Sequence, residues 1–130
     1  MQQVEQREAL DMVTARFFKG LGDPTRLRIL EFLQGGEKTA GDIVEHLALP
    51  QNQVSMHLGC LRWCGYVTTR REGRYVIYSL VDPRVIELIR LAKELVHGSE
   101  AFIMACEVIG KTDENLTNVT GWRNSQARAE

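Results

Sequence analysis

Thr39-Ala40-Gly41-Asp42-Ile43-Val44-Glu45-His46-Leu47, then Ala48-Leu49-Pro50, then Gln51-Asn52-Gln53-Val54-Ser55-Met56-His57-Leu58-Gly59-Cys60-Leu61-Arg62-Trp63-Cys64 and Gly65 decide the fold. Thr39 is a helix-capping residue in front of an apolar set, Ile43, Val44 and Leu47. A three-residue break follows. Gln51 to Cys64 then reads as a second helix with Val54, Leu58 and Leu61 inward, and Gly65 supplies its stop. Two short helices joined by a short turn, the second fronted by polar side chains, form a helix-turn-helix.

The flanks extend the pattern. Upstream, Glu5 to Lys19 carries Ala9, Leu10, Met12, Val13, Phe17 and Phe18 at helical spacing and ends near Gly20 or Gly22. Asp23-Pro24-Thr25 opens a further helix holding Leu27, Ile29, Leu30, Phe32 and Leu33, stopped by Gly35-Gly36. Downstream, Tyr66–Arg71 and Arg74–Leu80 are rich in β-branched and aromatic residues, with a hairpin turn expected at Glu72-Gly73. Asp82-Pro83 opens a helix to about Val96 whose apolar residues cover two faces. One face can pack on the domain, and the other calls for a second copy of the chain. Ser99 is expected to cap a last helix, Glu100–Ile109, with Phe102, Ile103, Cys106 and Ile109 on one face. The fold class is therefore mainly α with a β-hairpin: a winged helix-turn-helix, dimeric through its N- and C-terminal helices. Residues 1–110 form one domain, and residues 111–130 are expected to be a flexible polar tail.

The bulk numbers agree. In 130 residues, 44% are hydrophobic and 25% charged, enough for one core and too apolar for general disorder. No apolar run nears the roughly 18 residues of a membrane span. The polar start, Met1-Gln2-Gln3-Val4-Glu5-Gln6, is unlike a signal peptide, so a cytoplasmic protein with no membrane partner is expected. Sixteen basic against seventeen acidic residues leave a net charge of -1, which excludes a uniformly basic coat. Between Leu47 and Leu80, however, four arginines face one glutamate, a local +3.

That local charge surrounds groups able to read bases. The second helix of the motif is the one that enters a major groove. Its face offers Gln51, Asn52, Gln53, Ser55 and His57, of which Gln and Asn can pair bidentately with adenine. Arg70, Arg71 and Arg74 surround the hairpin tip, where a wing meets backbone or minor groove. Double-stranded DNA is the expected partner. His57 reads either as a DNA contact or as helix packing, and His46 as a structural or surface residue. No Ser/His/Asp set, phosphate loop or paired acids suggest an enzyme, and no organic cofactor is expected.

The stretch Asp23-Pro24-Thr25-Arg26-Leu27-Arg28-Ile29-Leu30 resembles the helix opening of the ArsR/SmtB metal-sensing repressors. So do Ser55-Met56-His57-Leu58-Gly59-Cys60-Leu61 with Gly65-Tyr66-Val67, and the wing Arg71-Glu72-Gly73-Arg74-Tyr75-Val76-Ile77-Tyr78. The resemblance spans roughly residues 7 to 97. It implies a homodimeric repressor on an imperfect palindrome near its own promoter, released by an inducer.

Three cysteines, an odd number, argue against a disulfide framework. The family's arsenic site needs Cys-x-Cys on the helix before the recognition helix, where Ala40–His46 has none. Its zinc site needs Asp-x-His and then His-x-x-Glu. His97-Gly98-Ser99-Glu100 supplies the second half, but Arg84 and Ile86 stand where the first half belongs, so His97 reads as incidental. Cys60 and Cys64, four apart on the recognition helix, share one helical face with Cβ atoms about 5–6 Å apart. On their own they read either as small core residues or as ligands. With Cys106 the set is similar to cadmium/lead sensors of the CmtR type, and that resemblance implies a three-thiolate site, with the third sulfur coming from the other protomer. Thiolates select soft ions, here Cd(II), Pb(II), Hg(II) or As(III). Two alternatives stay open: a thiol redox-sensing repressor using Cys60 and Cys64, and a winged-helix protein-interaction module that binds no DNA.

Overall fold

The computed structural model describes residues 1–106. Its elements, in chain order, are α1 (Gln2–Leu21), α2 (Pro24–Leu33), β1 (Lys38–Thr39), α3 (Ala40–Leu47), α4 (Gln51–Trp63), β2 (Val67–Glu72), β3 (Tyr75–Leu80), α5 (Arg84–Val96) and α6 (Glu100–Ala105). The chain forms two units that divide after Ile86, within α5.

Local chemistry sets the helix starts. Asp23 caps α2: its carboxylate accepts from the backbone N–H of Thr25 at 2.8 Å and of Arg26 at 3.1 Å, and Pro24 fills the first turn. Thr39 and Asp42 close a reciprocal capping box on α3, each accepting the other's backbone N–H at 3.1 Å. Ala48 ends α3 in a left-handed conformation (φ 54). Gly65 (φ 85) follows α4 and turns the chain into β2.

The three strands form one antiparallel sheet in the order β1-β3-β2. Val67 pairs with Leu80 and Glu72 with Tyr75, so Gly73 and Arg74 form the hairpin loop, with Gly73 at φ 61. The turn expected at Glu72-Gly73 is thus shifted by one residue, because the ladder keeps Glu72. β1 was not foreseen; it pairs Lys38 with Tyr78 and Thr39 with Ile77.

The core of the first unit holds Ile29, Leu30 and Leu33 of α2, Ile43 and Leu47 of α3, Val54, Leu58 and Leu61 of α4, and Tyr66 and Val67. His46 stacks flat on Phe32, ring centroids 3.9 Å apart, and Lys38 lies over the same ring. α1 buries only Leu21; Leu10, Met12, Val13 and Phe18 are exposed.

In the second unit, α5 leaves Leu91, Leu95 and Val96 exposed, and α6 leaves Phe102 and Ile103 exposed. Ser99 makes no side-chain capping bond; Glu100 instead accepts from the Gly98 N–H at 2.7 Å. α6 ends at Ala105, so Cys106 is its C-cap residue, in extended conformation, rather than part of a helical face. Ile109 and the tail expected at 111–130 lie outside the described residues.

Candidate nucleic-acid interface and thiol cluster

α4 is held by its apolar stripe. Val54, Leu58 and Leu61 are almost wholly buried, which fixes what the opposite face presents. Gln51, Asn52 and Ser55 are exposed, and Gln53 is half-buried. Asn52 spends its carbonyl oxygen on the Gln53 backbone N–H at 3.0 Å, leaving its amide NH2 outward as a donor. Of its two readings, His57 takes the packing one. It is only 6% exposed, and its Nε2 lies 3.9 Å from Asp23 Oδ1, the carboxylate that caps α2. Its Nδ1 is buried without a hydrogen-bond partner among the described residues. His57 therefore belongs to the packing between α4 and α2, not to the solvent face.

The wing arginines also divide. Arg70 is clamped on three nitrogens. Nη2 donates to Glu37 Oε2 at 2.7 Å, Nε to Glu37 Oε1 at 3.4 Å, and Nη1 to Glu72 Oε2 at 2.9 Å. The hydrogen bond from Arg70 holds the Glu37 carboxyl below its ordinary value, and the two carboxylates push the Arg70 guanidinium up. Arg70 thus ties β2 to the segment before β1 while its charge is covered. Arg71 and Arg74 are exposed and make no ion pair among the described residues. Glu37 carried no sequence signal of this role, being 33 positions from Arg70.

At the other end of α4 lie the thiols. Cys60 is half-buried and Cys64, the C-cap residue, is exposed; both are free. They stand one helical turn apart, joined by the backbone bond from the Cys64 N–H to the Cys60 carbonyl at 2.9 Å. The Cys64 thiol is raised above its ordinary value, first by packing around the sulfur and then by the charge and hydrogen bond of Cys60, while Arg26 pulls it down. Tyr66 is likewise raised by burial, then by Cys64 and Cys60, and again opposed by Arg26. Cys60, Cys64, Tyr66 and Arg26 therefore form one electrostatic neighbourhood, of which only the cysteines were singled out in the sequence.

The pair fits a soft ion: two cysteines one helix turn apart can both turn their sulfurs to a common centre. Among the described residues, no three His, Cys, Asp or Glu side chains gather closely enough to hold a metal ion. Cys106 stands in the second unit, half-buried. His97 and Glu100 pair at 3.5 Å, whereas Arg84 is bonded to Asp82 at 2.6 Å. No helix among the described residues is long and apolar enough to cross a membrane.

Comparison with known proteins agrees with this geometry. Residues 23–69, from the α2 cap into β2, match the family described as "Bacterial regulatory protein, arsR family". The chain is 48% identical over 93 residues to a probable mercury resistance operon repressor of Streptomyces lividans, covering 72% of this chain and 74% of that one. It is 44% identical over 89 residues to the HTH-type transcriptional regulator CmtR of Mycobacterium bovis, covering 68% and 73%. Among solved structures, a homodimeric winged helix-turn-helix DNA-binding domain from Mycobacterium bovis superposes with a TM-score of 0.63 at 30% identity, over 70% of this chain and 84% of that one. With its winged helix-turn-helix in place and these relatives spanning most of its length, the chain belongs to the ArsR family of bacterial transcriptional regulators.

Proposed function

We propose that the protein is a repressor that binds double-stranded operator DNA as a homodimer and lets go when a soft heavy-metal ion binds Cys60, Cys64 and Cys106. The observation that carries this reading is the Cys60–Cys64 pair, one turn apart at the C-terminal end of α4, the helix whose N-terminal turns bear the base-reading groups. An ion there acts on the reading helix itself. The candidate ions are Cd(II), Pb(II), Hg(II) and As(III), because sulfur donors prefer soft partners. A relative named as a probable mercury resistance operon repressor supports the same class.

Gln51, Asn52, Gln53 and Ser55 read bases, and Arg71 and Arg74 meet phosphates. His57, in its packing reading, supports α4, and Arg70, expected among these contacts, is held in the wing by Glu37 and Glu72. The dimer is formed through α1 and the C-terminal helices, which carry exposed apolar residues, and a homodimeric structural neighbour supports it. Cys106 completes the ion site, from the same chain or from the second copy.

The test is a metal panel. The DNA upstream of the protein's own gene is titrated with protein in the presence of Cd(II), Pb(II), Hg(II), As(III) or Zn(II), for wild type and for Cys60→Ser, Cys64→Ser and Cys106→Ser. Each variant should bind DNA normally and fail to release it with the soft ion. Normal release from Cys106→Ser removes Cys106 from the site, and release by peroxide without metal assigns the thiols to redox sensing.

A further inference from the structure

Two residues past Cys64, beyond the left-handed Gly65, the buried ring of Tyr66 reaches back to the end of α1. Its hydroxyl donates to the Phe17 carbonyl, 49 positions earlier, and its ring lies 5.1 Å from that of Phe17. Gly20 makes room for it: a Cβ there would overlap the Tyr66 hydroxyl and stand 3.0 Å from the ring carbons. Glycine is a poor helix former, so its place in α1 is explained by this contact. Arg26 grips the same turn from α2. Its Nε donates to the Gly20 carbonyl at 2.7 Å and its Nη2 to the Lys19 carbonyl at 3.5 Å, which also accepts the Gly22 N–H.

We propose that Tyr66 and Arg26 are positioning residues that carry the state of the Cys60–Cys64 pair into the last turn of α1, the helix whose apolar side is bare in the single chain. The proposal rests on the metal-responsive reading above. An ion that draws the two sulfurs to its own bond directions alters the last turn of α4. The first freely rotating backbone after that turn is Gly65, and the first anchored side chain is Tyr66. Its displacement pulls on the Phe17 carbonyl and the Gly20 contact, while Arg26, whose charge Cys64 feels, keeps its hold on the neighbouring carbonyls. The site on the DNA-reading helix and the helix offered to a second copy thus become two ends of one packed link. Coupling of this kind is a claim about an energy between sites and is tested as one.

The experiment uses the full-length protein, Cd(II) chloride as probe, an operator fragment with anisotropy readout, and the ultraviolet thiolate-to-cadmium band as the measure of site occupancy. Tyr66→Phe should fill with Cd(II) to the wild-type band and bind DNA as wild type does without metal. The factor by which Cd(II) lowers its operator affinity should shrink about fivefold, the worth of one ordinary hydrogen bond. Gly20→Ala, which drives Tyr66 away from the other side, should do the same. Arg26→Lys, which keeps the charge but loses the two-carbonyl fork, should give a partial loss. A merely structural role would lower the melting midpoint and leave the release factor intact. Wild-type release factors in Gly20→Ala and Arg26→Lys overturn the proposal even if Tyr66→Phe folds poorly, provided Cys60→Ser has lost release. If Cys60→Ser releases like wild type, the metal-site reading falls and the proposal falls with it.

Discussion

Removing the acids around Arg70 should make the wing bind DNA more strongly. Arg70, Glu37 and Glu72 together carry a charge of about -1 at the DNA-facing hairpin, and all three guanidinium nitrogens are occupied, at 2.7, 2.9 and 3.4 Å. Glu37→Gln with Glu72→Gln turns that cluster to about +1 and frees the guanidinium for a phosphate. One added phosphate contact steepens the log–log dependence of affinity on salt by about 0.9. The variant should therefore bind more tightly at low salt. Its affinity should then fall about 3.5-fold further than that of wild type between roughly 50 and 200 mM salt. Fluorescence anisotropy on one operator fragment across that range measures both. Arg70→Ala should leave the slope nearly unchanged, while Arg71→Ala and Arg74→Ala should each flatten it by about one contact and weaken binding to all sequences alike. An unchanged slope in the double variant, together with a flattened slope in Arg70→Ala, would refute the reasoning: it would mean that Arg70 already leaves its carboxylates for DNA in the wild type.

Three further outcomes follow from the local chemistry. Thr39→Ala removes one arm of the α3 capping box and should lower the melting midpoint by about 4–8 °C; an unchanged midpoint would show that the cap is redundant. The Asp82 carboxyl is held down at about 2 by hydrogen bonds from the Arg84 side chain and backbone. Because this folded value lies below the ordinary aspartate value of about 3.9, its stabilising effect is full above that value and is lost as pH falls through about 2. Carbon-13 NMR should find the Asp82 midpoint there and find it displaced upward in Arg84→Ala. The raised Cys64 thiol is protonated at neutral pH, so an incoming ion must displace its proton. Affinity for Cd(II) should rise about tenfold per pH unit for each proton displaced, and a titration in weak buffer should record at least two protons per ion.

Elements with local signatures were legible in the sequence. Asp23-Pro24, Thr39 and Gly65 each announce a helix boundary through a hydrogen bond or a backbone conformation made within a few residues. β1 is two residues long and exists only by pairing with β3, so no local period could mark it. The hairpin turn was placed one residue early because Glu72 is drawn into the ladder opposite Tyr75. The packing reading of His57 is legible in its position: Val54, His57, Leu58 and Leu61 fall at i, i+3, i+4 and i+7, the spacing of a buried stripe. The cysteine spacing on α4 is visible in the sequence, but the surroundings of the pair are not, since Arg26 acts on Cys64 from 38 positions away and the neighbouring Tyr66 meets Phe17 across 49. The ion pair of Arg70 is hidden from the sequence for the same reason, its partner Glu37 being distant in sequence.

The central claim is that the helix reading DNA is also the helix holding the ion, so the two ligands must oppose each other by one and the same factor. The direct measurement is the affinity of the protein for Cd(II) with and without saturating operator, set beside its affinity for operator with and without Cd(II). Both ratios should agree and lie in the range of about 5- to 150-fold usual for linked sites. Cd(II) binding of equal strength on free and operator-bound protein would contradict it.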